Sequence, residues 1–132
     1  ICVGAQMLLS RSEEFGLHKG LDLINGTVRR LPEPYDGATG QTRIPNVGWR
    51  AIESKQDDPV LGTVPANSMA YFVHSLAPMA DDQNHIVATI TINGEKIPAA
   101  IRKGNILGYQ FHPEKSGPTG LGLLQRFVEM KV

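Results

Sequence analysis

One cysteine, Cys2, stands in 132 residues, which excludes an internal disulfide and any cysteine-cluster metal site. Aromatic residues make up only 6 %, so the core has to be built mainly from aliphatic side chains. Neither sign of charge prevails. Thirteen basic and thirteen acidic residues cancel, and the basic ones are scattered, so no surface for nucleic acid or an anionic membrane is indicated. No apolar run approaches the roughly 20 residues of a membrane span. The opening Ile1-Cys2-Val3-Gly4 lacks the basic and long apolar regions of a secretory signal, and a cytoplasmic setting is expected. Low-complexity tracts and internal repeats are absent too. No metal site or organic cofactor is expected.

What is present fits one globular domain. At 41 % apolar and 20 % charged, a chain of this length can bury a core but is too short for two. The β signal is strongest late. Residues 70–75, 86–92, 97–102 and 106–111 are short runs rich in β-branched or aromatic residues, and Asn93-Gly94 predicts a hairpin turn. Earlier, Asn25-Gly26 predicts a turn between two short strands within 21–31, and 49–53 a further strand. Residues 11–20, 32–42 and 56–67 read as surface connections. A short helix is expected over 6–9. A second is expected over 120–130, with Leu121, Leu124 and Val128 on one face flanked by Leu123 and Phe127.

Two stretches carry chemistry. Cys2-Val3-Gly4-Ala5-Gln6 has the order of a nucleophile elbow: a nucleophile, one residue, then glycine, at a strand-to-helix turn. A helix beginning behind a thiol favours the thiolate, and the Val3 N–H points where an oxyanion would form. The glycine that usually stands two residues before the nucleophile would fall ahead of Ile1. About 110 residues later, an apolar strand ends in His112-Pro113-Glu114. Two residues apart on a segment held extended by proline, the carboxylate can orient the imidazole. Cysteine attack needs such a base, and the base needs a third group to fix its tautomer. Read singly, Cys2 fits a small core residue, and His112 with Glu114 fits a surface ion pair.

Together these motifs resemble the class I (triad) glutamine amidotransferases, with Cys-x-Gly-x-Gln early and His-Pro-Glu late. Further segments match in order: Ser12-Glu13-Glu14, Lys19 to Gly26, Pro45-Asn46-Val47-Gly48-Trp49, Tyr71-Phe72-Val73-His74-Ser75, and Gln110 to Gly117. Within the family the chain is most similar to the glutaminase subunits of imidazole glycerol phosphate synthases. The resemblance implies an α/β fold over 1–132, the C-terminal part of a flavodoxin-like domain with a mixed sheet and flanking helices. It implies Cys2 as nucleophile, His112 as base, Glu114 as its orienting group and Val3 as oxyanion donor. It puts Gln6, Glu14, His74 and Ser75 around the substrate glutamine; His74 also reads as a satisfied core residue. L-Glutamine would be hydrolysed for histidine biosynthesis, and the ammonia passed to a (β/α)8-barrel cyclase subunit. Asn46 departs from the histidine usual after that proline, which leaves room for a relative serving surface-sugar amination. A γ-glutamyl hydrolase, or a remnant acting as an oligomeric module, are further alternatives. The chain is expected to lack the first units of its domain, to be inactive alone and to self-associate.

Overall fold

The computed structural model describes residues 1–35 and 39–131. Helix α1 (Val3–Met7) opens the chain and leads into strands β1 (Leu9–Ser12), β2 (His18–Lys19) and β3 (Ile24–Arg30). Strands β4 (Asn46–Ala51), β5 (Glu53–Ser54), β6 (Met69–His74) and β7 (Leu76–Ala80) follow. The hairpin β8 (Ile86–Ile92) and β9 (Glu95–Lys103), then β10 (Ile106–Tyr109) and helix α2 (Gly117–Glu129), complete the described elements. One four-stranded sheet runs β2-β1-β3-β7 and is mixed, because β1 and β3 are parallel while the other neighbours are antiparallel. A second, antiparallel, runs β10-β9-β8-β5, and β4 pairs with β6 alone. The architecture is thus α/β with a mixed sheet and helices.

The hairpin follows from its sequence. Asn93 at φ 49° and Gly94 at φ 83° make the left-handed pair that a two-residue turn between twisted strands requires. Behind it, Ile90, Ile92, Ile97, Ala99 and Ala100 are buried in the larger core with Phe72, Phe111 and Leu123. Burying each large apolar side chain stabilises the fold by about 1.5–3 kcal/mol. Phe72 and Phe111 meet edge to face at 5.6 Å, so the residue just before His112 is anchored in the centre of the domain. A smaller cluster of Leu9, Ile24, Val28 and Ile101 lies under β1 and β3.

Three local expectations are corrected, and one strand adds to them. The turn expected at Asn25-Gly26 is instead part of unbroken β3, with Gly26 opposite Ala80, because pairing with β7 overrides the local signal. Strand β7 went unpredicted since it contains Pro78, which is tolerated because β7 closes the edge of its sheet. Residues 56–67 are not a surface connection: Val60, Leu61 and Val64 are buried. There Asp58 Oδ1 accepts from the N–H groups of Val60 and Leu61 at 2.9 and 2.7 Å. Helix α2 begins three residues earlier than expected and buries Gly120 and Leu123, leaving Leu121 and Val128 exposed. Of the loop expected over 32–42, residues 36–38 lie outside the described residues.

Candidate functional site

The first motif docks at the end of β10, just ahead of the second in sequence. Helix α1 packs against that strand at Gly108, where any side chain would press on Ala5. The Cys2 N–H donates to the Tyr109 carbonyl at 2.7 Å, and its sulfur lies 3.8 Å from Gln110 Nε2. His112 follows two residues on. Cys2 itself adopts φ 51° and ψ −115°, a conformation that is strained for any residue bearing a side chain. This positive-φ backbone falls on the residue expected to be the nucleophile of an elbow. Gly4 is not what relieves the turn: a Cβ there would meet nothing within 4 Å, and the positive φ sits on Cys2. Helix α1 starts directly after Cys2, three residues earlier than expected. As its first residue, Val3 has no residue four back to which its N–H can donate within the helix.

His112 is held from three sides. Its N–H donates to the Tyr71 carbonyl at 3.0 Å, and its own carbonyl accepts from Ser116 Oγ at 2.6 Å and the Lys115 N–H at 3.0 Å. Ser116 Oγ accepts in turn from the Tyr71 N–H at 2.9 Å, locking β6 to the start of α2. Gly120 permits that closure, since a Cβ there would overlap the Pro113 carbonyl. The segment is not extended as expected: Pro113–Lys115 forms a 3-10 turn, because proline at its first position suits a helical start as well as an extended chain. The pair forms nonetheless, with His112 Nδ1 2.7 Å from Glu114 Oε1. Desolvation pushes the Glu114 carboxyl up, but the hydrogen bond from His112, the backbone, and the charges of His112 and Lys115 outweigh it. The result lies below the usual carboxylate range.

Val3, Gln6 and Glu14 share the wall of one cavity of about 210 Å³, which also touches Arg11, His18 and Lys19. Gln6 spends its nitrogen inward, donating to the Leu76 carbonyl at 3.1 Å and to Gln110 Oε1 at 2.8 Å. Its oxygen is left over. His74 and Ser75 do not line this cavity. Ser75 joins β6 to β7, its carbonyl accepting from the Leu31 N–H at 2.9 Å. His74 is buried behind, with Nδ1 2.8 Å from the Leu76 carbonyl and Nε2 2.9 Å from Asn46 Nδ2. Asn46 Oδ1 accepts from Arg50 Nε at 2.8 Å. Burial lowers the imidazole pKa below its usual value; the hydrogen bond to Leu76 opposes this and Arg50 adds to it. Three residues that sequence reasoning gave no role are therefore part of the site's surroundings: Gln110, Asn46 and Arg50. A lone glutamine between Tyr109 and Phe111, in an otherwise apolar run, was the one signal available.

Among the described residues no group of side chains has the composition of a metal site, and no helix is long and apolar enough to cross a membrane. On the outer face of β4 and β6, Val47, Trp49, Met69 and Val73 are each 40–53 % exposed, and Trp49 meets Tyr71 edge to face.

A profile of the class-I glutamine amidotransferases matches residues 1–130. The chain is 45 % identical over 131 residues to the imidazole glycerol phosphate synthase subunit HisH of Geobacter sulfurreducens, covering 99 % of this chain and 62 % of that protein. It is 43 % identical over 136 residues to subunit HisH 1 of Legionella pneumophila strain Paris, covering 98 % and 63 %. It is 39 % identical over 130 residues to subunit HisH of Salinibacter ruber, covering 98 % and 59 %. The chain thus spans about three fifths of the length of these relatives.

Proposed function

This chain belongs to the class-I glutamine amidotransferase family, and we propose that the protein carrying it hydrolyses L-glutamine to glutamate and ammonia at Cys2. The observation that carries the proposal is the strained elbow at Cys2, bonded to the same strand end that leads into the His112–Glu114 pair. In this reading the Cys2 thiolate attacks the side-chain amide carbon, and the Val3 N–H donates to the oxyanion. His112 gives a proton to the departing nitrogen, which leaves as ammonia and a thioester remains. Water then attacks the thioester, His112 takes its proton, the sulfur departs as the Cys2 thiolate and glutamate leaves. Glu114 holds the imidazole in the tautomer this requires.

Gln6 and Glu14 hold the amino-acid end of the substrate. With its nitrogen committed inward, Gln6 offers an oxygen, and Glu14 offers a carboxylate; both are acceptors and suit an ammonium group. His74 supports the pocket from behind, since both its ring nitrogens are taken up by the protein, and Ser75 joins it at the β6–β7 corner.

The ammonia is used by a (β/α)8-barrel cyclase in the cytoplasm, for imidazole glycerol phosphate and so for histidine. The curated relatives are named as subunits of that synthase, which supports this assignment. The exposed apolar face of β4 and β6 supports a docked partner there. A glutamine-like diazo-ketone tests the chemistry: it should label Cys2, and Cys2→Ser should abolish labelling. Undiminished labelling of the serine variant would refute this role. For the partner, mixing with a barrel cyclase and its ligand should raise glutamate release. Trp49→Ser should blunt that rise, and an unchanged response in the variant would remove this face from consideration.

A further inference from the structure

A backbone carbonyl can only accept, and one such carbonyl sets the direction of the side-chain hydrogen bonds that lead to Cys2. The Leu76 oxygen lies 3.1 Å from Gln6 Nε2 and 2.8 Å from His74 Nδ1, so both must present N–H to it. On the Gln6 side, the same nitrogen lies 2.8 Å from the Gln110 side chain, which must therefore answer with its oxygen. The Gln110 nitrogen is left facing the other way, onto the Cys2 sulfur at 3.8 Å. Gln110 is fully buried, so its amide keeps this orientation through protein groups alone. On the other side, Nδ1–H makes Nε2 of His74 an acceptor, Asn46 answers with its nitrogen, and its oxygen is left for Arg50.

We propose that Gln110 is a positioning residue for the nucleophile: a buried amide, oriented through Gln6 by the Leu76 carbonyl, that holds an N–H donor on the Cys2 sulfur. The proposal rests on Cys2 being the nucleophile. The chemistry is specific to the charge state. A thiolate accepts hydrogen bonds, and a donor held against it favours that form and fixes where its lone pairs point. A thiol in the same place would have to turn its S–H elsewhere. The arrangement also couples two motif residues four apart, Cys2 and Gln6, through a third that lies 104 residues from Gln6 in sequence.

Because Cys2 is the only cysteine, thiol chemistry reports on it alone. The full chain is alkylated with iodoacetamide near neutral pH, and its ultraviolet thiolate absorbance is read in parallel. Gln110→Met keeps the length and removes the donor; Gln6→Met keeps Gln110 but removes what orients it. Loss of a hydrogen bond to a charged group predicts alkylation slowed roughly tenfold in the first variant and less in the second, with thiolate absorbance falling in step. A merely structural role would instead loosen the terminus and speed alkylation. A folded Gln110→Met chain that reacts within about twofold of wild type, or faster, overturns the proposal. Should neither variant fold, the wild-type chain decides. Blocking Cys2 should shift the Gln110 side-chain amide resonances more than those of any other glutamine, and no shift there overturns the proposal equally. Iodoacetamide needs no glutamine pocket. Diazo-ketone labelling with unchanged alkylation in Gln110→Met sinks this inference and spares the proposed function; the reverse pattern does the opposite.

Discussion

In the whole protein that carries this chain, Gly108→Ala should cut the proposed glutaminase activity far more than it cuts stability. A Cβ at residue 108 would lie 2.9 Å from Ala5 Cβ, 3.0 Å from Leu8 Cδ1 and 3.2 Å from Ala5 Cα. Carbon atoms settle at about 3.5–4.0 Å, so α1 must retreat from β10 by roughly 0.6–1 Å. The Leu8 methyl can rotate aside, but Ala5 is fully buried and its Cβ has no torsion to use. Overpacking of this kind costs about 1–3 kcal/mol, which a denaturant midpoint will read. The same retreat carries Cys2, the residue before α1, away from the strand that leads to His112. A misplacement near 1 Å at reacting groups loses about 100-fold in rate, so kcat should fall by that order while KM for glutamine changes little.

The second arm of this prediction is a rescue. Ala5→Gly removes the methyl that the new Cβ meets. Alone, it should destabilise by about 0.5–1 kcal/mol through backbone entropy. Combined with Gly108→Ala it should restore most of kcat, giving a favourable coupling of about 1 kcal/mol or more in the double-mutant cycle. Activity within about twofold of wild type for Gly108→Ala, or strict additivity of the two changes, would refute the claim that this contact positions Cys2.

In the whole protein, Glu114→Gln should lower kcat of the proposed reaction by about 100-fold with the fold intact, since an amide no longer fixes the His112 tautomer. Because the Glu114 carboxyl is held below its usual range, the native state binds fewer protons there than the unfolded chain. Its contribution to stability is therefore present above the usual glutamate pKa and is lost only as pH falls through the lowered native value. Phe111→Ala should destabilise by about 3–5 kcal/mol in urea, through the cavity left against Phe72 and Tyr109. His74 is buried with a lowered pKa, so stability should decline as pH drops below the usual histidine value of 6.5. His74→Gln should flatten that part of the pH profile, and an unchanged slope would exclude His74 as its source.

What the sequence made legible was local. His112 and Glu114 lie two residues apart, and their pairing survived even though the segment curls into a 3-10 turn rather than running extended. The hairpin at Asn93-Gly94 and the late strands were legible for the same reason: period and turn chemistry are read within a dozen residues. The illegible parts depend on partners far along the chain. Asn25-Gly26 looks like a turn until β7 pairs across it, and 56–67 looks like loop until Asp58 caps a buried turn. Gln110 is a similar case, since nothing near it in sequence requires a buried amide. Its partners are Gln6 and Cys2, more than a hundred residues away.

The spacing in Cys2-Val3-Gly4-Ala5-Gln6 has a consequence that the distant contacts make clear. A non-glycine residue at φ 51°, ψ −115° costs on the order of 1–3 kcal/mol, and it persists only if its neighbours hold it. The Cys2 N–H is held by Tyr109, and its carbonyl accepts from Ala5 and Gln6 at 3.0 and 3.3 Å. Gln6 stands four residues on, one helical turn, which sets its side chain on the face of α1 below Cys2. From there its amide reaches both the Leu76 carbonyl and Gln110. A polar residue at five residues' separation would turn toward a different face, and the inward hydrogen bonds would be lost. The strain at Cys2 is thus offset by groups on β7 and at the end of β10, the strand end that also leads to His112. The backbone geometry of Cys2 and its attachment to the strand end that precedes His112 are consequences of one set of contacts.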